Sequence, residues 1–330
     1  PAGRQNYVKD SDRTKLLQAI TPHFEHKLFL TATPHNGFTY SFTALLELLD
    51  PLRFNRGPEV DQKQRDLVMI RRLKENIMNK NFAVRSIVAI TIENNDTDAK
   101  LFDLLNSYIK ARLETSNTTQ ISFAMTMLKK RLLSSPLAFY RSIIWHNYAI
   151  GEIDESNVAD EKLLLKITQA AIETFSDDNE KDELEENAVK EVTRVMKRLN
   201  EKEKTLLSEI TRISSDSYQK HDQKALKLLE YIKNKLFSGG GWNNERLIIF
   251  TEYKDSMEYL KTILDKIDDG GRILTLSGGT DNAKREEVKY EFQTDPEKSR
   301  VRILIATDAA SEGLNLQHFC RYLIHYEIPW

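Results

Sequence analysis

The main evidence for the fold is the apolar run Leu247-Ile248-Ile249-Phe250, together with two similar runs that follow it along the chain. These are Ile273-Leu274-Thr275-Leu276 and Val301-Arg302-Ile303-Leu304-Ile305, and helical sequence lies between the runs at 257–267 and 283–292. Short apolar strands that alternate with helices of about 12 residues are typical of βαβ units in a parallel sheet. The sequence therefore predicts an α/β domain in the last third of the chain.

The same pattern extends to both sides of these strands. Upstream, a helix with Leu226, Leu229 and Ile232 on its apolar face is predicted to end at Gly239-Gly240-Gly241. Downstream, residues 321–326 are predicted to form one more strand.

The middle of the chain, residues 97–213, has helical periodicity almost throughout. Apolar residues recur at 3-4 spacing, most clearly from Val189 to Ile213, with a break at Glu203. Two interpretations remain open from the sequence: a helical arm with coiled-coil-like packing, or core-facing helices of a bundle.

The first 90 residues are predicted to mix helices with strands. Helices are expected over 13–20 and in the leucine-rich stretch that ends at Asp50-Pro51. Lys27-Leu28-Phe29-Leu30 predicts a short strand, and residues 82–92 alternate enough to predict another.

Composition narrows the class of protein. Of the 330 residues, 40% are hydrophobic and 30% are charged, which excludes a disordered or collagen-like chain. No apolar run approaches the roughly 18–20 residues needed to span a bilayer. The single cysteine, Cys320, cannot form an internal disulfide, so we expect a reducing, cytoplasmic compartment. The chain begins at Pro1 and stops at Trp330 directly after an apolar run, from which we expect a piece of a larger protein.

Charge is distributed unevenly, although the net charge is −2. Residues 1–150 carry 21 Lys and Arg against 14 Asp and Glu, a net of +7, whereas residues 151–190 carry 4 against 13, a net of −9. Because Lys and Arg supply most non-specific affinity for nucleic acid, the basic part could face phosphates. A solvated surface with a modest basic excess explains the composition equally well. The acidic stretch predicts that the middle of the chain does not touch nucleic acid.

Polar loops follow the predicted strands, and parallel sheets bind ligands at the carboxyl ends of their strands. The loops are Thr31-Ala32-Thr33-Pro34-His35-Asn36-Gly37, Ser277-Gly278-Gly279-Thr280, and residues 306–317. Hydroxyl groups can hold phosphate oxygens, and Gly313 permits close approach of a backbone. Residues 277–280 are expected to open a helix and so to offer free N–H groups to a phosphate. Each loop taken alone is also ordinary for an α/β domain.

In their order along the chain, these loops resemble the motifs of superfamily 2 helicases, specifically the Swi2/Snf2 branch. Residues 28–37 look like motif III, 247–253 like motif IV and 306–317 like motif V, and Ser277-Gly278-Gly279 with Arg285 and Phe292 resembles the block between the last two. Met69-Ile70-Arg71-Arg72-Leu73-Lys74 resembles the Arg-Arg-x-Lys block of that branch. Lys130-Arg131-Leu132-Leu133-Ser134-Ser135-Pro136 is similar to a signature of bacterial HepA/RapA-like members. The matches cover most of the chain outside about 140–220.

The resemblance implies an α/β fold with RecA-like parallel sheets of the P-loop NTPase type. It implies the C-terminal part of lobe 1 at residues 1–95, a helical insertion at 96–220, and most of lobe 2 at 221–330. In this family two such lobes close on ATP and step along duplex DNA.

The resemblance also implies roles for individual residues. Four residues of motif III would couple the nucleotide state to DNA contact and lobe closure: Thr31, Thr33, His35 and Asn36. Three residues of motif V would face ATP: Glu312, Gly313 and Asn315. Contacts with DNA are implied for Ser277, Gly278, Thr307, Arg71, Arg72, Lys130 and Arg131. Two of these assignments have alternatives, because the arginines at 71 and 72 could equally pair with carboxylates inside the lobe. The basic cluster at 129–131 could be a solvated helix face.

Parts of the family pattern are missing from the sequence. No Gly-x-x-x-x-Gly-Lys-[Ser/Thr] occurs, and no Asp-Glu pair follows an apolar strand. The arginines of motif VI are expected beyond Trp330. Since phosphoryl transfer depends on these groups, we expect residues 1–330 alone not to hydrolyse ATP, and ATP and Mg²⁺ to serve a larger protein. The histidines show no metal-binding spacing, so no metal site is expected in this chain.

The sequence leads to the hypothesis of part of an ATP-dependent DNA translocase, a helicase-like motor that couples ATP hydrolysis to movement on duplex DNA. One alternative is a non-catalytic RecA-like scaffold or binding module, and another is the motor subunit of a restriction or phage-defence system. The expected partners are double-stranded DNA together with RNA polymerase, another DNA-bound protein or defence-system subunits, and no membrane.

Overall fold

The computed structural model describes residues 12–31, 39–71, 85–93, 95–115, 119–151, 178–194, 197–268, 270–307 and 316–327. The chain divides into two compact units, residues 1–88 and residues 89–330. None of the helices in the described ranges is both long and apolar enough to cross a bilayer.

The described part of the first unit contains three short α-helices. Helix α1 spans Asp12–Ile20 and continues into a 3-10 turn at Thr21–His23, α2 spans Thr39–Leu49, and α3 spans Gln62–Val68. Helix α2 stops before Asp50, whose carboxylate accepts a hydrogen bond from the Arg53 backbone N–H (3.2 Å). The two helices predicted before residue 51 are confirmed.

The two strand predictions in this part of the chain are wrong for the residues described. Residues 27–31 and 85–93 have no regular secondary structure, and the side chains of Leu28 and Leu30 are exposed. An extended segment becomes a strand only when a neighbouring segment supplies backbone hydrogen bonds. No strand is present among residues 12–31, 39–71 and 85–93 to supply them.

The second unit opens with five helices that pack into a bundle. They are α4 (Asp96–Thr115), α5 (Thr119–Ser134), α6 (Pro136–Gly151), α7 (Asp178–Arg194) and α8 (Glu201–Ser217). One apolar core joins them, and its buried members include Leu105, Tyr108, Leu128, Phe139, Ile143, Val192 and Ile210. The helical character predicted for residues 97–213 is confirmed in the parts described, and so is the bundle interpretation.

A single helical arm over 189–213 is wrong, because the chain leaves the helix between α7 and α8. Residues 197–200 are not helical, and α8 starts with a capping box at Asn200. The Asn200 side chain accepts from the Glu203 backbone N–H, and the Glu203 carboxylate accepts from the Asn200 backbone N–H, both at 2.9 Å. This helix start coincides with the break in the 3-4 spacing at Glu203, and the apolar residues on both sides of it face the same core.

The rest of the second unit is an α/β domain. After α9 (Gln223–Leu236) comes a small hairpin of β1 (Phe237–Ser238) and β2 (Gly241–Trp242). The main sheet follows as β3 (Leu247–Thr251), α10 (Lys254–Leu264), β4 (Ile273–Leu276), α11 (Asn282–Gln293), β5 (Ile303–Thr307) and β6 (Tyr322–His325). Its strand order is β4-β5-β3-β6, and every pairing in it is parallel. The predicted parallel sheet is confirmed.

Both faces of the sheet are covered at its two central strands, which explains why β3 and β5 are apolar along most of their length. Leu247 and Ile249 of β3 face the core formed with α9 and α10. Ile248 faces the opposite core, which includes Val288 and Phe292 of α11. The carboxyl ends of all four strands therefore form one edge, and the described polar residues that directly follow β3, β4 and β6 lie along it.

Candidate functional site at the carboxyl edge of the sheet

Two of the sequence-predicted phosphate contacts lie next to each other on this edge. Strands β4 and β5 are paired so that Leu276 is opposite Ala306, which places Ser277 and Thr307 on adjacent strands. Thr307 is fully buried, and Ser277 is half-buried. The sequence placed both residues in loops after strands: Ser277 does directly follow β4, whereas Thr307 is the last residue of β5. Their contact with DNA stays a prediction.

The loop after β4 is a tight turn. The Ser277 backbone N–H donates to the Thr280 hydroxyl at 3.1 Å, and the two hydroxyls are 3.2 Å apart. The Arg285 guanidinium lies 3.5 Å from the Gly278 carbonyl oxygen. These contacts hold the turn to the first half of α11.

The expectation that this loop opens a helix with free N–H groups needs correction. Helix α11 starts at Asn282, after the turn, and the Asp281 carboxylate accepts a hydrogen bond from the Lys284 backbone N–H at 3.0 Å. A carboxylate at the N-cap satisfies one of the N–H groups that a phosphate would use, and it adds negative charge there. A phosphate at this edge would thus rely on the turn itself and not on the helix terminus.

Lys130 and Arg131, also predicted to contact DNA, do not form a solvated helix face. Arg131 is 3% exposed, and its guanidinium lies 3.9 Å from the centre of the Tyr253 ring. The same guanidinium is 3.2 Å from the Glu185 carboxylate and 3.6 Å from that of Asp255. The solvated-face interpretation is therefore wrong for Arg131. To reach DNA, this side chain would have to leave these partners.

Lys130 is largely covered as well. Its ammonium group is 3.8 Å from the Glu252 carboxylate, and both side chains are less than one-fifth exposed. Glu252 directly follows β3, so the pair joins helix α5 to the carboxyl edge.

A polar cluster that the sequence did not predict lies where strands β3 and β6 end. The Glu327 carboxylate accepts hydrogen bonds from the Thr251 hydroxyl (2.9 Å), the Glu252 backbone N–H (3.1 Å) and the Ser134 hydroxyl. The Ser256 hydroxyl lies within hydrogen-bonding distance of both Ser134 and Ser135. The only sequence signal for this cluster is the similarity of residues 130–136 to a family signature.

Lys224 of α9 closes this cluster on its remaining side. Its ammonium group donates to the carbonyl oxygens of Leu133 (3.0 Å) and Ser134 (2.8 Å) and lies 3.8 Å from the Tyr326 ring centre. Burial raises the pKa of Glu327, while the charge of Lys224 and the three donors act against that shift. Burial likewise lowers the pKa of Lys224. The pair is therefore a partly desolvated acid and base held together by neutral donors and acceptors.

A second buried polar network lies inside the helical bundle and is structural. The Tyr108 hydroxyl is 2.8 Å from His146 Nε2, and His146 Nδ1 is 3.1 Å from the Thr193 hydroxyl. Arg112 donates to Glu203 at 3.2 Å, and both side chains are fully buried. Burial, helped by the Arg112 charge, lowers the pKa of His146 to about 3, so this imidazole is neutral at ordinary pH.

Several predicted site residues lie outside the described part of the chain: Thr33, His35, Asn36, Arg72, Glu312, Gly313 and Asn315. Thr31 and Arg71 are described, and both are exposed on the first unit. Their predicted roles stay predictions.

The sequence has no P-loop. Across the residues that the structure describes, no group of three or more His, Cys, Asp or Glu side chains could hold a metal ion.

Comparisons with known proteins define the class of the α/β domain. Residues 223–330 match the helicase conserved C-terminal domain. The parallel α/β sheet of this part of the chain is therefore similar to the C-terminal domain of helicases.

Over 125 residues, 38% of this chain, it is 31% identical to an uncharacterized ATP-dependent helicase, YqhH, of Bacillus subtilis (strain 168). The chain spans 18% of the length of that relative. Among solved structures, the chain is similar to the C-terminal part of the Fun30 ATPase domain. That match has 15% identity and a TM-score of 0.36, and it covers 72% of this chain and 74% of the other.

Proposed function

We propose that this chain is part of an ATP-dependent motor of the Swi2/Snf2 type, of the bacterial HepA/RapA-like branch, that couples ATP hydrolysis to translocation on duplex DNA. The observation that carries the proposal is the carboxyl edge of the sheet, where Ser277 and Thr307 end adjacent parallel strands within a segment that matches the helicase C-terminal domain. Hydroxyl groups and backbone N–H groups at such an edge suit the phosphates of a nucleic-acid backbone.

In this proposal the edge holds one strand of the duplex by its phosphates. Ser277 and the backbone of Gly278 contact one phosphate, and Thr307 contacts a neighbouring one. Because Thr307 is buried, its hydroxyl group has to become accessible when DNA binds. Phosphate contacts fix position on the duplex without reading its sequence, which is what a translocating motor needs.

Further residues, most of them outside the described ranges, complete the proposed cycle. We assign Glu312, Gly313 and Asn315 to the nucleotide side of the edge, and Thr31, Thr33, His35 and Asn36 to coupling between nucleotide and DNA. Arg71 and Arg72 are assigned to DNA. For Lys130 and Arg131, burial and their carboxylate partners favour a structural role.

ATP and Mg²⁺ belong to this proposal as ligands of the full-length protein. The bound nucleotide supplies the free energy for movement, and residues 312–315 and 31–36 respond to it. Because the P-loop and a strand-end Asp-Glu pair are missing from the sequence, we propose that residues 1–330 on their own do not hydrolyse ATP.

The proposed DNA-contacting edge is tested by the binding of duplex DNA at several salt concentrations. We expect Thr307→Val to weaken binding of the full-length protein by about tenfold, because a hydrogen bond to a charged phosphate is worth about 1.5–3 kcal/mol. Ser277→Ala is expected to act in the same direction. The control is Thr205→Ala, which alters an exposed threonine of α8, far from the sheet in sequence.

The coupling residues are tested by ATP hydrolysis in the same protein. Thr33→Ala and Asn315→Ala are expected to lower the DNA-stimulated rate. Unchanged hydrolysis in both variants would refute these two roles.

In the DNA-binding test, equal affinity of Thr307→Val and the control Thr205→Ala for duplex DNA would show that the edge is not the DNA site.

A further inference from the structure

The segment Lys130–Pro136 joins helices α5 and α6, and it is docked on the carboxyl edge of the sheet. Its neighbour Leu137 packs against the apolar core shared by β3, α9 and α10. Around that apolar contact, its polar groups meet the ends of β3 and β6 directly. This segment is therefore where the helical bundle and the sheet are fastened to each other within the second unit.

A single carboxylate oxygen receives hydrogen bonds from both sides of this junction. Oε1 of Glu327 accepts from the Ser134 hydroxyl, which belongs to the bundle, and from the Thr251 hydroxyl, which belongs to the sheet. Oε2 of Glu327 accepts from the backbone N–H of Glu252. Loss of the Ser134 donor would leave a partly desolvated carboxylate with fewer partners, which is costly.

The position of Thr251 bears on the proposed DNA-contacting edge. Thr251 and Thr307 are directly opposite each other in the β3–β5 pairing, and both are buried. Adjacent strands lie about 4.8 Å apart and are closely packed, so a displacement of Thr251 at the end of β3 also displaces the end of β5. Ser134 is thus three contacts away from Thr307, through Glu327 and Thr251.

Charged side chains on either side of the Ser134–Glu327 contact also join the helical bundle to the α/β domain. On one side Arg131 lies against Tyr253 and Asp255, and Arg141 of α6 pairs with Asp255 and with Glu258 (2.9 Å). On the other side Lys224 donates to the carbonyl oxygens of Leu133 and Ser134. These neighbouring contacts therefore fix the geometry of the hydrogen bond between Ser134 and Glu327.

We propose that Ser134 is a positioning residue, which holds Glu327 and Thr251 so that the ends of β3 and β5, including Thr307, have the arrangement that binds duplex DNA. This inference rests on the proposed function. It assigns to the helical bundle a task in DNA binding without any contact between the bundle and DNA.

The test compares Ser134→Ala with Ser122→Ala in the full-length protein. Ser122 is exposed on the same helix, so its variant controls for the loss of a serine hydroxyl from α5. We measure ATP hydrolysis against duplex DNA concentration, together with the unfolding temperature. Ser134→Ala is expected to raise the half-saturating DNA concentration about three- to tenfold, as loss of one hydrogen bond predicts, while the rate at saturating DNA changes less. Ser122→Ala is expected to match the wild type.

A second variant and a second readout keep the inference testable in every outcome. Thr251→Val removes the other hydroxyl from the same carboxylate oxygen and is expected to act like Ser134→Ala, with the two effects smaller in combination than their product. Amide hydrogen exchange at residues 303–307 is expected to be faster in Ser134→Ala than in Ser122→Ala.

The inference is overturned if Ser134→Ala and Thr251→Val show wild-type DNA dependence in a protein whose hydrolysis DNA does stimulate. A wild-type protein without DNA stimulation refutes the proposed function instead. In that case, unchanged exchange at residues 303–307 would still refute the positioning role.

Discussion

Arg131 shows how the surroundings of one residue decide its role. Its guanidinium lies over the Tyr253 ring and between two carboxylates, with 3% of the residue exposed. The sequence places it in a basic cluster, which is compatible with a solvated face or a DNA contact. Its partners lie 54 and 124 positions away, so no local pattern could predict the burial.

Arg131→Ala is expected to destabilise the second unit by about 3 kcal/mol, because it leaves Glu185 and Asp255 partly buried with one cation fewer. The measurement is urea-induced unfolding followed by circular dichroism. The matched control is Arg212→Ala, which breaks an exposed pair with Asp216 and is expected to cost less than about 1 kcal/mol. Equal losses in both variants would show that Arg131 is not held as described.

His146 predicts how stability depends on pH. The pKa of His146 is lowered to about 3 in the folded protein, against 6.5 for an ordinary histidine. Below pH 6.5 this histidine is therefore protonated in the unfolded chain but stays neutral in the folded chain. Stability is therefore fully present above about pH 6.5 and falls as the pH drops towards 3, by up to about 1.4 kcal/mol per pH unit from this group.

The measurement is the free energy of unfolding at pH 7.5 and pH 5. His146→Gln disturbs the buried hydrogen bonds to Tyr108 and Thr193, so it is expected to be less stable than the wild type at pH 7.5. Because it lacks the imidazole, its free energy of unfolding is expected to fall less between pH 7.5 and pH 5. His318→Gln, which alters an exposed histidine, is the control and should keep the wild-type pH dependence. The same pH dependence in all three proteins would contradict the buried neutral imidazole.

Among the elements, helices and buried strands could be predicted from the sequence, and isolated strands could not. The runs at 247–250 and 273–276 are apolar because both faces of the sheet are covered, and they proved to be strands with little change in their bounds. Residues 27–30 have a similar composition without a neighbouring strand among residues 12–31, 39–71 and 85–93, and they form none. Pairing is a long-range property, so composition alone does not predict it.

Helix boundaries depend on caps, and the α7–α8 break illustrates this. The periodicity shows a break at Glu203, and in the structure the capping box that starts the new helix joins Asn200 to Glu203. The Asn-x-x-Glu spacing is visible in the sequence and is the signal that could have located this boundary.

Asn200→Ala is expected to lower stability by about 1 kcal/mol through loss of the cap to the Glu203 backbone N–H. Asn200→Ser keeps a capping oxygen and should recover most of that loss. Thermal unfolding of the two variants beside the wild type is the measurement. No difference between alanine and serine would mean that the cap does not stabilise α8.

At the scale of the whole molecule, the helical bundle and the α/β sheet belong to one compact unit of the chain. The sequence predicts the bundle and the sheet separately, and it does not indicate how the two are joined. The junction depends on Ser134 meeting Glu327, which is 193 positions away, and on Lys224 meeting Leu133 and Ser134. The resemblance pointed to residues 130–136 as a signature. In this structure, the contacts of these residues fix the bundle to the strand ends.

The central claim is that this edge belongs to a DNA-dependent ATPase, and one measurement tests it most directly. The full-length protein is assayed for ATP hydrolysis with and without duplex DNA at low and high salt. We expect duplex DNA to raise the rate, and the half-saturating DNA concentration to increase steeply with salt, as phosphate contacts require. ATP hydrolysis that duplex DNA leaves unchanged at every salt concentration, or no hydrolysis at all, would contradict the account.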